Sequence, residues 1–164
     1  MVAALLAVDL GVRTGLAAYG ADGRLQWYRS QNFGAASRLR RAIPAMLDGE
    51  PELSHVVIEG GGALARFWQA EADARGLHLE FVTAEVWRGL MLYSREQRSG
   101  EVAKRNAVAM ARRVIEWSGA RRPTSLTHDA AEAILVGLWG VLQAGWLARL
   151  PEGIVHASRA APST

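Results

Sequence analysis

Two short apolar runs, each ending in a carboxylate, constrain the fold of this chain more than any other feature. Residues 5–8 lead into Asp9, and residues 55–58 lead into Glu59, which a triplet of glycines follows. A continuous apolar run is typical of a strand buried on both faces of an α/β sheet. Because active sites of open α/β sheets lie at the carboxyl ends of strands, Asp9 and Glu59 are the first candidates for a functional site.

The remaining patterns predict one α/β domain with the order βββαβαβα(α)α. Strands are expected at residues 5–8, 14–19, 24–30, 55–58 and 77–83, with a hairpin at residues 20–23. Helices are expected over residues 35–47, 63–74, 84–93, 101–117 and 129–147. We expect Pro44 to kink or end the first helix early.

Composition excludes several classes of function. The chain has no cysteine, which excludes disulfides, a thiol nucleophile and a Cys-ligated metal. Its four histidines lack the spacing of a zinc site. The longest apolar stretch, residues 133–148, contains Gln143 and is too short to span a bilayer, and the first residues lack the basic flank of a signal peptide. We therefore predict a soluble cytoplasmic protein.

The charge balance is mildly basic, with 19 Lys and Arg against 16 Asp and Glu, a net charge of +3. Such an excess suits a polyanionic partner without proving one. Lys104 is the only lysine in the chain.

The predicted last helix adds a second pair of carboxylates. Asp129 and Glu132 are three residues apart, so both lie on one face of a helix. If the two acidic strand ends are neighbours, four carboxylates meet, and such a cluster repels itself unless a proton or a cation intervenes. Hard divalent cations prefer oxygen ligands, and a pair of them activates water in phosphodiester hydrolysis.

Each acidic position also has a purely structural interpretation. Asp129 and Glu132 fit a helix capping box, Asp9 fits a turn before Gly11, and Glu59 fits a strand-end charge facing solvent. Helix capping would explain the positions of Asp129 and Glu132, but it does not explain the acids at the strand ends, Asp9 and Glu59. The glycines after Glu59 lack the ending of a phosphate-binding loop and are interpreted as a flexible rim.

The motifs together resemble the RuvC-like Holliday junction resolvases of the ribonuclease H-like superfamily. The matching segments are residues 5–11 with Thr14 and Gly15, residues 56–59, residues 84–88 ahead of the Lys104 helix, and residues 127–133. They span residues 5 to about 140, and the last is most similar to the shorter phage-type members. The chain departs from the bacterial enzymes in the glycines after Glu59, where those enzymes place an aromatic side chain, and in Glu132, where they place aspartate.

The resemblance implies a ribonuclease H-like fold in one RuvC-like nuclease domain over residues 1–164, with an irregular tail at 151–164. Its five-stranded mixed sheet has the order 3-2-1-4-5 and is flanked by helices, so that Asp9 lies beside Glu59. Asp9 corresponds to a bridging metal ligand and Glu59 to the second ligand, while Asp129 and Glu132 occupy the last two acidic positions. The implied cofactor is two Mg²⁺ ions per site, with Mn²⁺ as an alternative.

The resemblance also implies the function, which is metal-dependent cleavage of four-way (Holliday) DNA junctions by a homodimer. Lys104 would act near the scissile phosphate, and His128 would assist proton transfer or simply precede the helix. DNA contacts are expected from Lys104, Arg105, Arg112, Arg121 and Trp68, which follows the glycines and is the tryptophan expected to be exposed. No membrane and no small-molecule substrate is expected.

Three alternatives stay open at this point. One is an RNA-processing nuclease of the same superfamily, and another is a non-catalytic module that binds branched DNA. Residues 9–14 also resemble the first phosphate motif of actin-like ATPases, which need two such lobes where this chain has room for one.

Overall fold

A five-stranded mixed sheet organises the protein. The computed structural model describes residues 4–92 and 99–154, so the predicted tail beyond residue 154 and the predicted helix end at residue 93 lie outside the described residues. The strands are β1 (Ala4–Asp9), β2 (Arg13–Gly20), β3 (Leu25–Asn32), β4 (Leu53–Glu59) and β5 (His78–Val82). Their order is β3-β2-β1-β4-β5; β1 pairs antiparallel with β2 and parallel with β4, which confirms the predicted topology.

Helices cover both faces of the sheet. They are α1 (Ala36–Asp48), α2 (Ala63–Ala74), α3 (Ala84–Met91), α4 (Gly100–Ser118) and α5 (His128–Gln143). The order of strands and helices is the predicted one. Within the described residues, no helix combines the length and the apolar character that crossing a membrane requires.

The alternation of side chains along β1 explains why its sequence is apolar throughout. Leu5 and Ala7 pack in the core that contains α5, whereas Leu6 and Val8 pack in the core that contains α1 and α2. Successive side chains of a strand point to opposite faces. Since both faces are covered, neither set can be polar until the strand ends at Asp9.

Helix α5 lies directly against the sheet because glycines remove the side chains between them. A Cβ atom at Gly137 would come within 2.3 Å of the Tyr19 ring, and one at Gly140 within 2.8 Å of Val57. The Tyr19 hydroxyl donates a hydrogen bond to the carbonyl oxygen of Ile134. Every residue of α5 from Ala130 to Val141 is buried, which fixes this helix as the central element of its layer.

The predicted end of α5 is wrong, and α1 does not end early at its proline. Helix α1 continues through Pro44 to Asp48, and Ile43 and Leu47 on either side of the proline are both buried. Helix α5 ends at Gln143 rather than at residue 147, because Gly145 adopts a positive φ of 76°. The Trp146 N–H then bonds to the Val141 carbonyl, which closes the helix in a Schellman motif.

The first residues of the predicted tail are irregular but packed. Residues 151–154 form a turn, and the Ile154 side chain is completely buried. The Ile154 carbonyl accepts a hydrogen bond of 2.8 Å from Arg113 Nε on α4. This segment therefore belongs to the core on the α5 side of the sheet.

Candidate metal centre

The carboxyl ends of β1 and β4 bring two acids together. Asp9 and Glu59 are direct partners in the parallel register of the two strands, and Leu10 N–H donates to the Glu59 carbonyl just beyond it. Adjacent strands lie about 4.8 Å apart, and residues in register face the same side of the sheet. The predicted neighbourhood of the two strand-end carboxylates is confirmed.

The amino-terminal end of α5 contacts the sheet at β2, directly beside Asp9. Gly15 of β2 is the register partner of Asp9 on its other side. A Cβ atom at Gly15 would lie only 2.0 Å from the Asp129 carbonyl oxygen, so no other residue type fits without moving α5. The absent side chain at Gly15 thus lets the first turn of α5 come down beside Asp9.

The cap of α5 rules out the capping-box interpretation of its two acids. Thr127 is the N-cap residue, and its side chain accepts the N–H of Ala130 at 3.4 Å. Asp129 and Glu132 therefore lie inside the helix and do not cap it. Their position needs another explanation.

Three carboxylates form a cluster that we call the acid trio: Asp9, Glu59 and Glu132. Each offers an oxygen, and these oxygens lie within 4.8 Å of one another. Glu132 is 6% exposed, although carboxylates are rarely buried without a partner. The trio has the ligand type and spacing of a site for a hard divalent cation.

The electrostatics of Asp9 show what the trio requires. The pKa of Asp9 is raised from 3.8 to about 9, first by burial and then by the charge of Glu132, a hydrogen bond with Glu59, and the charges of Glu59 and Asp129. Without a cation, Asp9 thus holds a proton at neutral pH. A divalent ion would supply the positive charge that the proton otherwise provides, so the residues present fit a metal.

Asp129 stands apart from the acid trio. Its Oδ2 atom accepts a hydrogen bond of 3.3 Å from the Ser30 hydroxyl on β3 and lies 4.0 Å from Arg13 Nε on β2. Its charge still contributes to the raised pKa of Asp9. The four predicted ligands therefore lie in one region, three in a tight group and the fourth turned towards β2 and β3.

Two basic side chains contact Glu132. Arg88 of α3 donates from Nη2 to Glu132 Oε1 at 2.6 Å, and His128 Nε2 lies 3.1 Å from the same oxygen. His128 was a sequence candidate, whereas Arg88 was not assigned a role. Arg88 lies in residues 84–88, one of the segments that carry the family resemblance, and this position was the sequence signal that could have identified it as a site residue.

The basic candidates divide into two groups. Lys104 and Arg105 line an open cleft of about 370 Å³ together with Val108, Leu126 and His128. Arg112 lines a different cleft with Arg122, and Arg121 accepts a hydrogen bond from the Tyr28 hydroxyl through its carbonyl. Lys104 and Arg105 thus share a cleft with His128, whose Nε2 atom lies 3.1 Å from Glu132 Oε1.

The expectation that Trp68 is exposed is wrong. Its side chain is completely buried, on the same face of α2 as Ala65 and Ala72. A glycine-rich rim precedes this helix, but Trp68 turns inward to fill the core beneath it. It is therefore withdrawn as a contact to DNA.

Comparison with solved structures agrees with this architecture, whereas comparison of sequences finds no relative. Neither a protein-family model nor a curated protein sequence matches the chain. Among solved structures, the chain is similar to T. thermophilus RuvC in complex with Holliday junction substrate, with a TM-score of 0.60 and 14% sequence identity. The similarity covers 87% of this chain and 96% of that chain. The protein therefore has the RuvC-like, ribonuclease H-like fold.

Proposed function

We propose that this protein is a divalent-metal-dependent endonuclease that cuts four-way DNA junctions. The observation that carries the proposal is the acid trio at the carboxyl ends of β1 and β4, in a fold similar to that of a RuvC whose structure contains a Holliday junction. Oxygen-only ligands at such a strand edge suit phosphodiester hydrolysis assisted by Mg²⁺ or Mn²⁺. The sequence resemblance to RuvC-like resolvases supports the same activity.

In this proposal Asp9, Glu59 and Glu132 hold the metal, and Asp129 completes a second position. Two divalent ions, when bound, would activate a water molecule and stabilise the leaving oxygen. Asp9 would be the central ligand of this set, because the charges of Glu132, Glu59 and Asp129 all raise its pKa. With a cation bound, Asp9 would coordinate it as the carboxylate.

The remaining residues prepare the site around these ligands. Arg88 holds Glu132 in place by its 2.6 Å hydrogen bond. His128 Nε2 shares that carboxylate oxygen and can hold or pass on a proton there. Lys104 and Arg105 would bind the DNA backbone in the adjoining cleft, so binding should weaken as salt is raised.

We further propose that the protein works as a homodimer. Resolution of a four-way junction requires one cut in each of two strands. The described part of the chain contains one acid trio. Two copies would place a site at each strand, and analytical ultracentrifugation of the protein with and without a junction tests this stoichiometry.

The decisive experiment compares cleavage of a synthetic four-way junction and a linear duplex, with Mg²⁺ and with chelator. The wild type is expected to cut the junction only with metal. Asp9→Asn should abolish cutting while it still binds the junction, because the side chain keeps its shape and loses its charge. The control Glu116→Gln, at an exposed carboxylate on α4, should cut normally.

Three results would contradict the proposal. Full activity of Asp9→Asn would remove the acid trio from the chemistry. Cleavage of RNA but not of DNA junctions would identify an RNA-processing nuclease instead. Tight, salt-sensitive junction binding without cutting in Mg²⁺ or Mn²⁺ would identify a non-catalytic binding module.

A further inference from the structure

Two histidines lie side by side at the end of the sheet opposite the acid trio. His55 of β4 and His78 of β5 are direct partners in the parallel register of these strands. Their ring centroids are 5.0 Å apart, with the ring planes tilted by 58°. His55 precedes Glu59 by four residues of the same strand, or about 13 Å, so the two places cannot share one ion.

We propose that His55 and His78 form a binding site for a transition-metal ion such as Zn²⁺. Two imidazoles bound through nitrogen at about 2.1 Å to a tetrahedral ion have ring centroids about 5 Å apart. The observed separation matches that arrangement. The spacing of the two residues in the chain gives no sign of it, because the pair is made by strand pairing across 23 residues.

The surroundings of His55 prepare it as a ligand. Ser54 donates its hydroxyl proton to the Ala4 carbonyl at 3.2 Å, and its oxygen lies 2.8 Å from His55 Nδ1. When the hydroxyl donates to Ala4, it accepts from His55 Nδ1, and in that tautomer Nε2 presents a lone pair. Metal-binding histidines are held in the same way by a second oxygen partner.

The electrostatic setting also favours a cation. Burial lowers the pKa of His55, and the neighbouring His78 lowers it further, which keeps the imidazole neutral as metal binding requires. Glu80 acts in the opposite direction on that pKa, as a nearby negative charge does. It follows His78 by two residues, so it lies on the same face of β5, and its negative charge favours a cation nearby. His78 itself is exposed, which leaves the site open to solvent.

The test is calorimetric titration of Zn²⁺ into the full chain in saturating Mg²⁺, which keeps the acid trio loaded. The wild type should bind one Zn²⁺ at this site. His78→Gln, an exposed change that does not endanger folding, should weaken the affinity about 100-fold, and Ser54→Ala about tenfold. His156→Gln is the matched histidine control, and Asp9→Asn the control for the acid trio; both should bind Zn²⁺ as the wild type does.

Histidine ring resonances provide a second readout, since the ring signals of both His55 and His78 should shift together as Zn²⁺ is added. Absence of binding by the wild type would overturn the proposal. So would unchanged affinity in His78→Gln, or a loss of binding in Asp9→Asn alone. None of these results bears on junction cleavage, so the two proposals stand or fall separately.

Discussion

The two faces of the sheet are built in different ways. On the side of α1 and α2, large side chains such as Trp68, Leu39 and Ile43 fill the space between helix and strands. On the side of α5, glycines bring backbone into contact with the sheet, and Asp9 and Glu132 are withdrawn from water. Both faces contain an apolar core, but the α5 face also holds the buried Glu132 carboxylate, whose position the close approach of α5 to the sheet fixes.

This difference predicts where the protein tolerates substitutions that change side-chain volume. A side-chain core can adjust to altered volume by repacking, but a helix in backbone contact with a strand can only move away. The buried carboxylates on the α5 side also oppose folding unless a proton, an arginine or a cation compensates them. Three changes to the protein would separate the two faces.

The largest effect is expected from Gly15→Ala. The added Cβ would overlap the Asp129 carbonyl, so the first turn of α5 must shift, at a cost of about 3 kcal/mol or more in the free energy of unfolding. Junction cleavage should be lost with it. Gly49→Ala, at the end of α1 on the other face, meets its nearest atom at 3.4 Å and should leave stability and cleavage intact. Urea unfolding and a cleavage assay measure both, and equal effects of the two changes would refute the contrast.

The next effect is a pH dependence of the metal-free protein. Asp9 has a pKa of about 9 when folded and about 3.9 when unfolded, so the folded state binds more protons between these values. Stability in chelator should therefore fall as pH rises, by at most about 1.4 kcal/mol per pH unit and so by less than about 3 kcal/mol between about pH 6 and about pH 8. Asp9→Asn should flatten the slope, and Mg²⁺ should stabilise the wild type more at about pH 8 than at about pH 5.

Glu152→Gln, at an exposed carboxylate, is the control and should keep the wild-type slope. A pH profile that is the same in Asp9→Asn and in the wild type would show that Asp9 does not hold a proton in the folded state.

The smallest effect is expected from Arg88→Gln. Removing the guanidinium leaves Glu132 facing Asp9 and Glu59 without its 2.6 Å partner, and about 2 kcal/mol of stability should be lost in chelator. Added Mg²⁺ should recover much of that loss. The exposed pair of Arg122 and Glu116 is the comparison, since Arg122→Gln should change stability by no more than about 0.5 kcal/mol. Equal losses in the two variants would mean that Arg88 is only a surface residue.

Much of the fold could be predicted because it is encoded locally. The runs that end in Asp9 and Glu59 are apolar since their strands are covered on both sides, and helix α2 was predicted with its observed bounds. The predicted end of α5 is wrong because the apolar character of the sequence continues to residue 148, whereas the positive φ of Gly145 terminates the helix.

The candidate site was predictable only in part. Its acids follow from strand ends and helix spacing, but the contact between Arg88 and Glu132 joins residues 44 positions apart and depends on how α3 packs on α5. The expected exposure of Trp68 is wrong because it rests on the glycines before the helix, whereas Trp68 shares its spacing with the buried Ala65 and Ala72. That spacing marks one buried face of a helix.

The three glycines after Glu59 differ in how closely they are packed. A Cβ atom at Gly60 would lie 2.9 Å from the Leu10 side chain, so this position is tied to the strand ends that carry the acid trio. Gly61 and Gly62 have open space around them, but the φ of Gly62 is 83°, a conformation that favours glycine. A side chain can therefore be added at Gly61, on the rim of the acid trio, while Asp9 and Glu59 keep their places.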